Sequence, residues 1–147
     1  MKKIFSTIVL TLILGATFTA CETQEKDTVG PEIKIVEPAN NEIFSPGDIM
    51  DLHLEFKDHP SGIAVYQYMI YHENIDMPNS FEDEKEVAIG AFVNEFPIIH
   101  KIKFPEQINS NPLATGTYVI EVKARDHENN LSVLRQNIEI VAETTEG

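Results

Sequence analysis

Between residues 31 and 141 apolar side chains recur at every second position in short runs, and clusters of Pro, Gly, Asn and Asp separate the runs. A period of two puts alternate residues on opposite faces, so each run reads as a β-strand with one face turned to a core. The clearest run is 48–57, where Met50, Leu52, Leu54 and Phe56 alternate with Asp51, His53, Glu55 and Lys57. In 117–125, Tyr118, Ile120, Val122 and Ala124 alternate with Glu121, Lys123 and Arg125. The other candidate strands are 32–37, 63–72, 86–93, 96–104 and 131–141. No long stripe of period 3.6 accompanies them. Over 80–85 a short helix capped by Ser80, with Asp83 three residues on, competes with a solvated acidic loop, and the run of charges favours the loop. About seven strands at this spacing predict an all-β, antiparallel, two-sheet sandwich.

The turns sharpen that fold class. Asp58-His59-Pro60-Ser61-Gly62 and Asp126-His127-Glu128-Asn129-Asn130 each begin with an aspartate that can cap its own turn, and each holds a residue tolerant of positive φ. Gly116-Thr117-Tyr118, opening the strand that ends at Asp126, resembles the bacterial Ig-like pattern of a "G-x-Y" strand closed by "D-x-x-G-N". Asn129 stands where glycine is usual, a departure that asparagine accommodates through its access to the left-handed region. The resemblance implies an Ig-like or fibronectin III-like β-sandwich over residues 30–142, with 143–147 as a disordered tail.

The N-terminus has a different logic. Lys2 and Lys3, an apolar run from Ile8 to Leu14, and small residues up to Ala20 form a signal peptide over 1–20, and the apolar run is too short to span a bilayer. Phe18-Thr19-Ala20-Cys21 resembles a bacterial lipobox, with Phe18 where leucine is usual. The resemblance implies a lipidated Cys21 as the first mature residue, a membrane attachment through it, and a cell-envelope location as an outer-membrane lipoprotein facing either the surface or the periplasm. Residues 21–29 then read as a flexible linker. Its acidic residues resemble the surface-export signals of Bacteroidetes lipoproteins.

Charge and cysteine usage narrow the partners. Eleven Lys and Arg against 24 Asp and Glu set the formal charge at −13, and loss of residues 1–20 would remove two lysines and no acid. So acidic a chain is a poor partner for nucleic acid. Its single cysteine excludes both an internal disulfide and a four-cysteine zinc site.

The signal peptide, linker and lone Ig-like domain together resemble a family of short Bacteroidetes lipoproteins that are often histidine-rich. His72-Glu73-Asn74-Ile75-Asp76 matches the family's "H-N-N-F-D" stretch. His100-Lys101-Ile102-Lys103-Phe104-Pro105-Glu106 matches its histidine cluster before "I-x-I-P-E". Only one histidine remains in each.

Two binding chemistries follow. Zinc or copper could be held by His72 and His100 with His53, or, where an Ig-like topology brings two loops to one pole, by His59, His127, Asp58 and Asp126. Calcium binding is expected to be weak at most, because no dense Asp-x-Asp-x-Asp loop is present. Alternatively Tyr66, Tyr68 and Tyr71 on the third strand could recognise a protein or glycan, with Tyr66 and Tyr68 serving the core as the competing role. Catalysis is not expected: the chain has no Gly-x-Ser-x-Gly elbow, no His-Glu-x-x-His and no phosphate-cradling loop. The sequence therefore favours a non-catalytic, lipid-anchored binding module over a metal-binding lipoprotein.

Overall fold

The two strongest alternations become the two facing walls of the core. In the computed structural model, which describes residues 26–142, ten strands form: β1 (Glu32–Glu37), β2 (Glu42–Phe44), β3 (Ile49–Lys57), β4 (Ile63–His72), β5 (Asp83–Ala88), β6 (Glu95–Lys103), β7 (Gln107–Ile108), β8 (Asn111–Pro112), β9 (Gly116–Asp126) and β10 (Leu131–Ile140). The expected signal peptide over 1–20, Cys21 and the expected tail over 143–147 lie outside the described residues. A three-stranded sheet of order β1-β3-β6 packs against a five-stranded sheet of order β2-β10-β9-β4-β5, and β7 pairs with β8 in a small hairpin. Met50, Leu52, Leu54 and Phe56 of β3 face Tyr118, Ile120, Val122 and Ala124 of β9, each no more than 1% exposed. Burying that many large apolar side chains, at about 1.5–3 kcal/mol each, supplies most of the drive for the two sheets to close.

The departures from the sequence reading have physical causes. The strand expected at 86–93 starts three residues earlier and ends five earlier, at Asp83–Ala88, and the helix considered over 80–85 does not form. β5 is the edge of its sheet, pairing only with β4 from Ile70↔Asp83 to Val65↔Ala88. Glu84, Lys85 and Glu86 therefore face solvent while Val87 packs on the core, and charges of this kind protect an edge. β2 was not expected: its three residues are too few for an alternation, and it is held by parallel pairing of Glu42–Phe44 with Ile138–Ile140. The β7–β8 hairpin escaped notice for the same reason.

Two positive-φ positions confirm the turn chemistry. Asn129 sits at φ 70°, as its place in the loop after β9 requires. Gly62 sits at φ 71°, and a Cβ there would lie 3.2 Å from both the Phe92 ring and the Val93 carbonyl oxygen.

Candidate functional site

The loops after β3 and β9 meet at one pole, as the topology implied. Asp58 and Asp126 are brought together there, 6% and 1% exposed, and Asp27 joins them from a stretch read as linker. Ser61 Oγ lies 2.8, 2.8 and 2.9 Å from Oδ2 of Asp27, Asp58 and Asp126. A hydroxyl has one proton, so it donates to one of the three at a time. Asp126 accepts two further hydrogen bonds of 2.7 Å, from the Asn130 backbone N–H and side-chain amide, and that same amide donates to the Asp27 carbonyl at 3.1 Å. The Val29 N–H, and after it the Ser61 hydroxyl, hold the Asp27 carboxyl below the ordinary carboxylate range. This arrangement is a latch: it ties the chain just ahead of β1 to the β3–β4 and β9–β10 turns. Its donor atoms are all oxygen, the chemistry of a hard cation's ligands rather than of zinc or copper.

The histidines do not join it. His59 is exposed, and His127, also exposed, stacks its ring on Phe92 with centroids 5.6 Å apart. Among the described residues, Asp27, Asp58 and Asp126 form the only group of three or more His, Cys, Asp or Glu side chains whose ligand atoms converge. His72 is buried at the end of β4, edge-on to Tyr118, with its ring nitrogens near the Asn74 and Thr115 carbonyls. His100 sits mid-strand in β6 opposite Leu52, with Nε2 3.0 Å from the Tyr66 hydroxyl. His53, half-buried, has the outward parity of β3, opposite to that of the inward Leu52. The three proposed metal-binding partners therefore take three different environments.

Burial first, and then Lys85, push the His100 pKa down, against an opposing pull from Asp83. A base whose folded pKa is lowered stabilises the fold above its unfolded value of about 6.5 and loses that contribution as pH falls towards the folded value. Acidification from pH 7.5 to 5.5 should therefore lower Tm. His100→Gln, which keeps a polar partner for Tyr66 but does not titrate, should flatten that slope in a thermal-melt series; an unchanged slope would assign it to other groups.

The tyrosines divide. Tyr66 and Tyr68, offered by the sequence as recognition aromatics, are 2% and 4% exposed and belong to the core, since their parity on β4 turns them towards β6. Phe56 packs tilted against Tyr66 and His100 against Tyr68, each with ring centroids 4.9 Å apart. Burial raises both phenol pKa values, with the hydrogen bond to Asp83 adding to the rise at Tyr68. Tyr71 has the other parity and lies half-buried on the outer face of the five-stranded sheet. It helps line a groove there with Met69, Ile75, Glu82, Glu84 and Glu121. Glu121 is itself buried, and the hydrogen bond from Lys123, reinforced by Arg135, holds its carboxyl below the ordinary range. Sequence reasoning named Tyr71 but missed Met69 and Ile75, because an apolar residue on a wet strand face or in a loop carries no periodic signal.

No family model matches the chain, and no curated protein matches it. Solved structures do. An SrpA adhesin from Streptococcus sanguinis is 17% identical at a TM-score of 0.50, with 82% of this chain covering 63% of that one. Fibronectin(III)-like modules of CbhA from Clostridium thermocellum are 15% identical at a TM-score of 0.44, with 78% of this chain covering 47%. The chain thus spans between about half and two-thirds of the length of these structures. The likeness establishes the fold, an Ig-like or fibronectin III-like β-sandwich.

Proposed function

We propose that the chain is a non-catalytic, lipid-anchored module of the cell envelope, attached through Cys21, that presents the outer face of its five-stranded sheet to a partner. The observation that carries the reading is the apolar groove on the outer face of the five-stranded sheet. The three-stranded sheet also leaves Ile49 and Ile99 exposed, 61% and 53%, but among the charges of β3 and β6. On the three-stranded sheet the register sets opposite charges side by side, Glu32 beside Lys57 and Lys57 beside Glu95, Lys34 beside Glu55, Asp51 beside Lys101. Three of these pairs close to 3.2, 3.5 and 3.0 Å. On the five-stranded sheet Met69 and Tyr71 lie half-buried, with Leu131 and Val133 52% and 46% exposed across the face and Ile75 77% exposed in the segment after β4. Met69, Tyr71 and Ile75 line one groove, and apolar surface gathered in this way marks an interaction surface more often than scattered single residues do.

The position of the latch supports the same reading. From Cys21 to Asp27 is six residue steps, at most about 21 Å of chain, so an anchored domain would hold its Asp58–Asp126 pole near the bilayer. β4 starts at that pole and runs ten residues, about 30 Å, to the Tyr71 end. The groove would then lie at the end of the domain distal to the membrane. Among the described residues no helix is long and apolar enough to cross it.

Expression of the full chain in a Gram-negative host fed radiolabelled palmitate tests the anchor. The wild type should take up label and sediment with membranes, and Cys21→Ser should lose both. An unlabelled, soluble wild-type protein would overturn the reading.

A further inference from the structure

Resting on that reading, we infer that the groove on the outer face of the five-stranded sheet receives a cationic peptide segment, a lysine or arginine flanked by apolar or aromatic residues. Its floor is apolar: Met69 and Tyr71 from β4, with Ile75 from the segment that follows. Its rim is acidic on the β5 side, formed by Glu82 and Glu84, while on the β9 side Glu121 stands paired with Lys123. Residues 73–86 carry six acids against Lys85 alone, so this corner is more acidic than the chain as a whole.

The rim carboxylates differ in what already engages them. Asp83 accepts the Tyr68 hydroxyl at 3.0 Å, and Glu121 is paired with Lys123 and Arg135. Glu82 and Glu84 are exposed and take part in no ion pair among the described residues. A long cationic side chain suits such a place, because its methylenes can cover Met69, Tyr71 and Ile75 while its charged head reaches the free carboxylates. The chain supplies its own example. Arg135 pairs with Glu121, a guanidinium held by a carboxylate of the rim. A second copy of this chain is disfavoured as occupant, since the acidic Glu82 and Glu84 rims would meet, and an anionic ligand is disfavoured there for the same reason.

The test uses the full chain purified in detergent and fluorescence anisotropy with three labelled nine-residue peptides: alternating lysine and tyrosine, alternating glutamate and tyrosine, and lysine alone. The lysine–tyrosine peptide should bind, more weakly at 300 mM than at 20 mM salt. The glutamate–tyrosine peptide should not bind, and the all-lysine peptide should bind less tightly for want of apolar contact. Glu82→Gln with Glu84→Gln should weaken the lysine–tyrosine complex about three- to thirty-fold, and Ile75→Ser about threefold. Glu32→Gln with Glu95→Gln, an equal charge change on the other sheet, should leave it unchanged. All five positions are exposed, so folding is not at stake. Equal effects from the two double variants, equal binding of the all-lysine peptide, binding of the glutamate–tyrosine peptide, or no binding at 1 mM would each overturn the inference. A chain that takes up palmitate but ignores the lysine–tyrosine peptide loses this partner and keeps the anchor; a chain without palmitate loses the underlying reading.

Discussion

Asp126→Ala should lower the stability of the domain by about 2–4 kcal/mol, whereas Asp58→Asn should change it by less than about 1 kcal/mol. The two carboxylates are near neighbours, both buried, and both touch Ser61, so composition and burial alone would rank them equally. Their hydrogen bonds separate them. Asp126, 1% exposed, is the acceptor for the Asn130 N–H, the Asn130 amide and a share of Ser61, and its loss strands the donors of a half-buried Asn130. Each buried donor left unpaired costs about 1–3 kcal/mol. Asp58 accepts only from Ser61, which has Asp27 and Asp126 as alternatives.

Electrostatics pull the two substitutions further apart. The ligand oxygens of the three carboxylates lie within 4.8 Å of one another. Two full charges at that separation repel by roughly 3 kcal/mol at an effective dielectric of about 20. Asp58→Asn removes one charge from this group and converts an acceptor into a donor for its neighbours, so relief of repulsion offsets the lost hydrogen bond. Urea denaturation with an unchanged slope would read both values. Equal losses for the two variants would mean that the charge of Asp58, and not its geometry, holds the latch.

What could be read in advance follows from where physical information is written in a chain. β3 and β9 were legible because a wall of the core needs four inward side chains in succession, and that need imposes a period. The turns at 58–62 and 126–130 were legible because positive φ and side-chain caps restrict residue type. β5 starts three residues and ends five residues ahead of the expected strand because an edge strand buries little, so Val87 alone marked its inner face. Asp27 was missed because its partners, Ser61 and Asn130, are 34 and 103 residues away, and nothing local to a polar linker announces a distant hydrogen bond. The histidines were legible as residues and misleading as a constellation. His100 pairs with Tyr66 across the sandwich and His72 packs on Tyr118, roles that the fold confers and the spacing does not display. Tyr66 and Tyr71 differ by one step of parity, and parity decided which joined the core.

Tyr118→Ala should cost about 3–5 kcal/mol, the largest loss expected from any single change discussed, and Tyr118→Phe about 1–3 kcal/mol of it. The ring is fully buried beside His72, with centroids 4.9 Å apart and planes at 76°. Its hydroxyl donates to the Ala114 carbonyl at 2.9 Å, four residues upstream, and accepts the Phe81 N–H at 3.3 Å. This is the tyrosine-corner geometry of Ig-like sandwiches, and it explains the tyrosine of the Gly116-Thr117-Tyr118 motif. Its second bond reaches further than the corner itself. Phe81 packs edge-on to Phe104 at 5.5 Å and leads directly into Glu82 and β5. The phenol therefore ties the strand opening at Gly116 to the acidic rim of the groove. Tyr118→Phe should accordingly speed amide exchange at residues 81–84 more than in β3, whose hydrogen bonds the hydroxyl does not touch. Uniform acceleration across both regions would show that the hydroxyl acts only through global stability. Local acceleration, together with a weaker lysine–tyrosine complex in a domain still folded, would show that a core tyrosine sets the shape of a surface on the far side of its own sheet.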